Sequence, residues 1–202
     1  MKILKKRDMR VMQQKVHAST ERKILENMNS PFIVQLHYAF QTANKLYLVL
    51  DFMQGGELFY HMRQSFVFNL ERTRFYAAEI VLALEFLHKQ GIIYRDLKPE
   101  NVLLDRDGHI RIADFGLSKQ GIHAGLQTFT FCGTPEYICP EILKGVGHDK
   151  SVDWWSLGAI IYEMLTGAPP HYSKVRKRMY YNIINVRTQT ATPIKLCRNK
   201  SR

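Results

Sequence analysis

The sequence is poor in cysteine and has no long apolar run, and both shortages narrow the classes of protein to consider. The three cysteines among 202 residues, Cys132, Cys139 and Cys197, are odd in number and do not have the spacing of a metal site. A disulfide-stabilised secreted domain is therefore not expected. The cysteine content instead predicts a reducing setting, cytoplasmic or nuclear. The first residues are basic without a following apolar run, so they predict no secretory signal. The most apolar stretch, residues 154–165, is too short to span a bilayer.

Acidic residues are scarce at both ends of the chain. Residues 1–16 carry a net charge of +5 and residues 174–202 a net charge of +9, whereas residues 17–173 carry −3. Basic tails are usually solvated, so neither a nucleic-acid partner nor a membrane span is expected. With 46% hydrophobic and 23% charged residues, the chain has the composition of a globular domain. Residues 187–202 have little to bury and are predicted to form a basic, disordered tail.

Hydrophobic patterning predicts strands in the first quarter of the chain and mainly helices after it. Strands are expected at residues 1–4, 32–40 and 45–51, and a helix at about residues 13–28. The continuous apolar run at residues 46–50 is typical of a strand buried on both faces.

Two long helices are expected in the remainder, one at about residues 70–89 and one at 152–165. Asn69 is a good N-cap for the first, and Gly91 is a natural residue to follow its end. Two apolar stripes at helical spacing predict that this helix is buried on more than one face. The stripes consist of Phe75, Ala78, Leu82 and Phe86, and of Ile80, Leu84 and Leu87.

Residues 94–116 carry the strongest functional signal. Two short apolar strands, at 102–104 and 110–112, flank an Asp-Gly turn at 105–108, which predicts a hairpin closed by a tight primed turn. The hairpin would bring Asp96, Lys98 and Asn101, which precede it, close to Asp114, which follows it. This set suits phosphoryl transfer: Asn101 and Asp114 can hold Mg²⁺, Asp96 can orient a hydroxyl nucleophile, and Lys98 can neutralise the transferring group.

The same motifs resemble those of protein kinases. Tyr-Arg-Asp-Leu-Lys-Pro-Glu-Asn at residues 94–101 and Asp-Phe-Gly at 114–116 are similar to the kinase catalytic and metal-binding motifs, with Tyr94 in place of the usual His. Thr-Phe-Cys-Gly-Thr-Pro-Glu-Tyr at 130–137 resembles the activation segment of AGC serine/threonine kinases, in the S6 kinase, SGK and Akt branch. The resemblance implies a two-lobed α+β fold. A partial N-lobe with a small antiparallel sheet and the hinge would cover residues 1–53, and a partial, mainly helical C-lobe would cover residues 54–186.

The resemblance also implies an ATP site. Lys2 would hold the α and β phosphates and pair with Glu21 on the following helix. Asp51 and Met53 would offer hinge backbone groups to adenine, and Leu103 would form the floor beneath it.

Further residues match substrate-binding and bracing positions of the family. Glu57 and Glu100 resemble acids that bind basic substrate residues. Glu57 is also counted among the residues of the implied ATP site. Thr134 matches a residue that hydrogen-bonds the catalytic Asp and, with Lys98, indicates a serine/threonine rather than a tyrosine kinase. Asp153 matches a residue that braces the catalytic loop.

Thr130 matches the threonine that an upstream activating kinase phosphorylates. A dianionic phosphate orders a loop when cations surround it, and the candidate cations are Arg95, Lys119 and His17.

The pattern departs from the family at both ends, which predicts a fragment. The Gly-rich loop and first two strands of the family would precede Lys2, and residues from 187 onward do not resemble its later helices. Glu141, whose family partner is an Arg from those helices, is therefore expected to be loose or exposed. Two functions stay open: a kinase using ATP and Mg²⁺ on protein substrates with basic residues, or a catalytically weak kinase fragment acting as a binding module.

Overall fold

The computed structural model describes residues 1–7, 12–123 and 125–186, so the predicted tail at 187–202 lies outside the described residues. The described part has a small sheet lobe followed by a larger, mainly helical lobe. Its elements are β1 (Lys2–Lys5), α1 (Met12–Leu25), β2 (Leu36–Gln41), β3 (Lys45–Leu50), β4 (Gly56–Glu57), α2 (Leu58–Ser65), α3 (Leu70–Lys89), a 3-10 turn (Pro99–Asn101), β5 (Val102–Leu104), β6 (Ile110–Ile112), α4 (Pro140–Lys144), α5 (Ser151–Thr166) and α6 (Arg176–Asn185).

The first lobe is an antiparallel sheet of three strands in the order β1-β3-β2, with α1 beside it. Lys2 pairs with Leu48 in the sheet, so the lysine lies at the start of β1 opposite the middle of β3. The second sheet, β4-β5-β6, belongs to the helical lobe. Backbone hydrogen bonds from Val34 to Ile112 (3.0 Å) and from Ile112 to Phe32 (2.8 Å) join the two lobes.

The strand β3 is less buried than predicted. Of its residues only Leu48 is buried, and the others are partly exposed. The prediction of a strand covered on both faces is therefore wrong, because α1 and the two edge strands leave part of the sheet open. A pocket of about 510 Å³ lies there, lined by residues such as Lys15, Phe40 and Leu46.

Helix α3 begins and ends as predicted but is buried on one face only. The Asn69 side chain accepts a hydrogen bond from the backbone of Arg72 at 2.8 Å, and Gly91 adopts φ +68° after the helix. Of the two apolar stripes, the one with Ile80, Leu84 and Leu87 is fully buried. The other stripe is not in the core: Phe75, Ala78 and Leu82 are exposed and Phe86 is half-buried. Periodicity located both stripes, but it could not tell which one a neighbouring element covers.

The main core lies between α3, α5 and the β5-β6 hairpin. Its largest fully buried side chains include Tyr94, Phe115 and Leu84, together with Ile160 of α5. Helix α5 ends at Thr166, and Gly167 after it lies in the left-handed region, with φ +88°. A side chain there would also meet the carbonyl oxygen of Phe66 at 3.0 Å, so glycine is required on two grounds.

The β5-β6 hairpin is present, but its turn is not of the primed type. The positive φ falls on Gly108 (+91°) and not on Asp107, and the Asp105 carboxylate accepts hydrogen bonds from the backbone of Asp107 and His109. The Asp side chain therefore organises the turn. Further along the chain, Glu141 on α4 is exposed, as expected.

The two sides of α3 predict different costs of truncation. Leu84→Ala should lower the free energy of unfolding by about 3 kcal/mol, because it opens a cavity beside fully buried neighbours. Leu82 is 46% exposed, so Leu82→Ala should change the free energy of unfolding by less than about 0.5 kcal/mol. Urea unfolding of both variants measures this, and equal losses would contradict the one-sided burial of α3.

Candidate active site

A buried carboxylate fixes the loop that carries the candidate catalytic residues. Asp153, fully buried near the start of α5, accepts hydrogen bonds from the backbone of Tyr94 (2.9 Å) and Arg95 (2.8 Å). His88 lies 2.7 Å from the same carboxylate. Arg95 adopts a left-handed φ of +68°, which is uncommon for a side chain of this size and is held by these bonds. The next residue, Asp96, is thereby directed into the cleft, as the predicted bracing role of Asp153 requires.

Asp96 is the centre of a hydrogen-bond network. Its carboxylate accepts a bond from the Thr134 hydroxyl at 2.6 Å and lies 3.1 Å from the Lys98 ammonium. The Asn101 amide nitrogen donates to the Asp96 carboxylate at 3.1 Å and to its backbone carbonyl at 2.9 Å. Lys98 also reaches the Thr134 hydroxyl, at 3.3 Å. Three predicted side chains, those of Lys98, Asn101 and Thr134, therefore meet around the Asp96 carboxylate.

Lys2 connects the sheet lobe to this centre. Its ammonium lies 2.8 and 2.9 Å from the two oxygens of Glu21 and 3.2 Å from Asp114. Burial opposes the charge of Lys2, but the two carboxylates outweigh it and raise its pKa. Burial raises the pKa of Glu21 as well, against the pull of the Lys2 charge. The predicted pairing of Lys2 with Glu21 is formed, and the lysine also faces the acid at the Asp-Phe-Gly motif.

Asp96 and Asp114 open onto the same cleft. Together with Lys2, His17 and Glu21 they line a cavity of about 490 Å³ between the lobes. The Asp114 carboxylate is half exposed in this cleft, and its backbone takes a left-handed φ of +60°.

Asn101 and Asp114 suit a magnesium ion by the chemistry of their donor atoms. The backbone N–H of Ala113 donates a hydrogen bond of 2.9 Å to the carbonyl of Asn101, and this bond keeps Asp114, the next residue, close to Asn101. Mg²⁺ prefers oxygen ligands, and it commonly takes only one or two from the protein, with water and substrate phosphates completing the octahedron. An amide oxygen and a carboxylate fit that requirement.

Tyr94 links the catalytic loop to the Asp-Phe-Gly segment. Its hydroxyl donates to the carbonyl of Ala113, and its ring packs edge-on against Phe115 at 5.2 Å. Burial, followed by the negative charges of Asp96 and Asp114, raises the pKa of Tyr94 well above its ordinary value. The phenol therefore stays a neutral donor that positions the residue before Asp114.

The predicted adenine-binding residues lie along the connection between the lobes. Asp51 follows β3, Met53 is partly exposed after it, and Leu103 is the partly buried middle residue of β5. The Asp51 side chain has a further role that the sequence did not indicate. It accepts a hydrogen bond from the backbone of Gln35 at 3.0 Å, lies 2.8 Å from His37, and contacts Arg111.

Acidic side chains gather at a second opening. Glu100, Glu136 and Glu163 line a pocket of about 360 Å³, whose lining also includes Arg63. One oxygen of Glu100 is buried and has no hydrogen-bond partner among the described residues. Burial raises the pKa of Glu163, which accepts a hydrogen bond from Tyr137 at 2.6 Å. Glu57, the other predicted acid, is exposed on β4.

The structure places the predicted phosphorylation residues as follows. Thr130 is exposed, and so is Lys119, whose backbone pairs with Ile93. Arg95 is buried, with its Nε donating to the carbonyl of Leu117 at 2.8 Å. His17 is half-buried on α1 and faces Gly116 across the cleft.

Comparisons with known proteins place the chain in a family. Its residues 1–201 match the protein kinase domain. It is 58% identical over 92% of its length to Protein kinase 2 of Dictyostelium discoideum. It is 53% identical over 91% of its length to two further proteins. These are the RAC family serine/threonine-protein kinase homolog of that organism and serine/threonine-protein kinase Sgk1 of Homo sapiens.

The two-lobed fold and the cleft between Asp96 and Asp114 define a protein kinase domain. The chain belongs to the protein kinase family, and its relatives place it with the AGC group, as the sequence motifs predicted. It spans about two fifths of the length of the curated relatives it matches. In the part of the chain that the structure describes, no helix is long and apolar enough to cross a membrane.

The bracing role of Asp153 predicts a large effect on stability. Asp153→Ala should lower the free energy of unfolding by about 3 kcal/mol, because two buried backbone N–H groups and His88 lose their acceptor. Asp107→Ala is the matched control, since the Asp107 side chain is 69% exposed, and it should cost less than about 0.5 kcal/mol. Denaturant unfolding measures both, and a small loss in Asp153→Ala would contradict the bracing role.

Proposed function

We propose that the chain is the catalytic core of a serine/threonine kinase that transfers the γ-phosphate of ATP to serine or threonine in proteins with nearby basic residues. The observation that carries this proposal is the shared cleft, in which Lys2, Asp96 and Asp114 converge from both lobes. We further expect a location in the cytoplasm or nucleus, and phosphorylation of Thr130 by an upstream kinase.

The side chains divide the work of phosphoryl transfer. Lys2, oriented by Glu21, binds phosphate oxygens, and Asn101 and Asp114 supply oxygen ligands for a cation. Mg²⁺·ATP, when bound, supplies the phosphoryl group and much of the charge neutralisation. The hinge backbone at Asp51 and Met53, with Leu103 below, offers an adenine site.

Asp96 is placed to handle the proton of the substrate hydroxyl. Its carboxylate is fixed by Thr134 and Asn101, so it can accept a hydrogen bond from the hydroxyl without reorganising. As the new oxygen–phosphorus bond forms, the bond between that phosphorus and the bridging oxygen of the departing ADP would break, and the hydroxyl proton would pass to Asp96. Lys98, 3.1 Å from Asp96, adds positive charge where the transferring group becomes more negative.

The acidic pocket supports the preference for basic substrates. An arginine entering between Glu100 and Glu163 would satisfy the unpartnered oxygen of Glu100 and relieve the repulsion between the acids. Paired carboxylates suit a guanidinium, which donates several hydrogen bonds in a plane.

Loss of either acid in the cleft should abolish transfer. Asp96→Asn and Asp114→Asn should each lower phosphate incorporation into an arginine-containing peptide by about 100-fold or more, because the first removes the proton acceptor and the second a cation ligand. Asp107→Asn, an exposed acid on the neighbouring hairpin turn, serves as the control and should retain activity. Equal silence of wild-type chain and Asp114→Asn, with both folded by circular dichroism, would contradict the proposal.

The acidic pocket predicts a selective effect on substrate binding. Glu100→Gln should raise KM about tenfold for an arginine-containing peptide, since a charge-assisted hydrogen bond is lost. The same variant should act normally on a peptide with alanine in place of arginine, and Glu71→Gln, at an exposed site on α3, should affect neither. If both peptides respond equally to Glu100→Gln, this pocket does not bind the arginine.

A further inference from the structure

Arg95 and His148 are two buried side chains that each carry at least one polar nitrogen without a normal hydrogen bond within the described chain. Arg95 is 9% exposed and His148 is 3% exposed. Nη1 of Arg95 and both ring nitrogens of His148 make no hydrogen bond of normal geometry among the described residues; the backbone of Val146 lies close enough to act on the pKa of His148 without closing such a bond. An unsatisfied buried donor costs free energy, so such groups call for an explanation, and two of them together point to a missing ligand with acceptor atoms.

The backbone brings the segment around Thr130 to this pair of side chains. Thr128 is bridged to His148 by two backbone hydrogen bonds of 2.9 and 3.0 Å. On the other side of Thr130, Gly133 packs against Arg95, since a Cβ at Gly133 would meet the Arg95 carbonyl oxygen at 3.1 Å. In the adjacent Cys132, burial raises the pKa of the thiol and the charge of Arg95 opposes that rise.

In the sequence, Thr130 lies midway between Thr128 and Cys132. Two residues of extended chain span at most about 7 Å, so Thr130 cannot be farther than that from Thr128 or from Cys132. Its side chain is exposed and can be modified without unfolding the segment.

The charges around His148 disfavour its protonation in this state. Burial, and then the positive charge of Arg95, lower the pKa of His148, and the backbone of Val146 and the charges of Asp149 and Asp153 only partly oppose them. Asp153 is already engaged by the backbone of the catalytic loop. A dianion placed between Arg95 and His148 would reverse this balance, because it would pair with the guanidinium and favour the imidazolium.

We propose that His148 is a second ligand, beside Arg95, for a phosphate carried by Thr130, and that it takes up a proton from solvent when that phosphate is present. The inference rests on the proposed function, since it concerns phosphorylation of Thr130 by an upstream kinase. That kinase breaks the bond between the γ-phosphorus and the bridging oxygen of ATP, joins the Thr130 hydroxyl oxygen to that phosphorus, and releases ADP and the hydroxyl proton. His148 forms no covalent bond and acts as a positioning residue for the segment that carries Thr134.

The proposal has a consequence for pH dependence. Order in the phosphorylated segment should weaken as the pH rises through the pKa of His148, because the imidazolium then loses its proton. Without the phosphate the sign is opposite. Because burial lowers the pKa of His148 in the folded chain, acid protonates the unfolded chain first, and the folded state loses stability as the pH falls.

The first test compares the full chain with and without phosphate on Thr130 by NMR. The pKa of His148, followed by its ring proton shifts, should rise by about one unit or more on phosphorylation. His171 is the matched control, because it is also buried, stacks on Trp155, and has its pKa lowered by burial alone. It should titrate identically in both forms. An unchanged titration of His148 would overturn the proposal, and this measurement requires no variant to fold.

The second test follows the phosphate itself by ³¹P NMR. The second pKa of phosphorylated Thr130 should be higher by about one unit in His148→Gln than in wild type, and unchanged in His171→Gln. Equal values in wild type and His148→Gln would overturn the proposal. Transfer of phosphate to an arginine-containing peptide is measured separately. A chain that shows the His148 shift without transfer contradicts the kinase proposal alone, whereas transfer without the shift contradicts only the role of His148.

Discussion

The arrangement of the active site depends on one buried carboxylate, that of Asp153. A charge with no solvent exposure is costly unless donors surround it, and here two backbone N–H groups and His88 do so. The donors belong to the segment just before Asp96 and to the end of α3, so the bonds hold the catalytic loop on α5. They also sustain the left-handed backbone of Arg95, which turns the loop toward the cleft. Asp153 thus fixes the backbone that carries Asp96, and Thr134 and Asn101 then orient the Asp96 carboxylate.

A second constraint joins the two lobes. Lys2 belongs to the sheet lobe, where it pairs with Glu21, and Asp114 follows the β5-β6 hairpin of the other lobe, so the contact between Lys2 and Asp114 bridges the cleft. The backbone pairing of Ile112 with residues 32–34 holds the lobes together on the other side. Backbone hydrogen bonds and charged contacts therefore both join the lobes on either side of the cleft. Charged contacts can rearrange when a nucleotide arrives, whereas the backbone connection remains.

The sequence predicted which polar side chains come together, because these residues are close together along the chain and lie in specific motifs. Asp96, Lys98 and Asn101 are within six positions, and a short hairpin separates them from Asp114. Burial was predicted less well. Periodicity found both stripes of α3 and the apolar run of β3, but whether a face is covered depends on elements that are distant in sequence.

Long-range anchors were the main features missed. Asp51 contacts Arg111 and His37, and His148 lies beside Arg95. No local sequence pattern indicates these contacts of the Asp51 and His148 side chains. The only available hint was residue type, since the resemblance to kinases gave a role to the backbone of Asp51 but not to its side chain, and none to His148. Such residues acquire a meaning only when the fold places their partners next to them.

The most direct measurement of the central claim is calorimetric titration of the full chain with ATP in the presence and absence of Mg²⁺. The account predicts binding with Mg²⁺ that weakens sharply when the metal is removed, because Asn101 and Asp114 would hold the cation while Lys2 holds the phosphates. Asp114→Asn should bind ATP with little response to the metal. A folded chain that binds no nucleotide, or binds it equally well with and without Mg²⁺, would contradict the convergence of these side chains on one nucleotide.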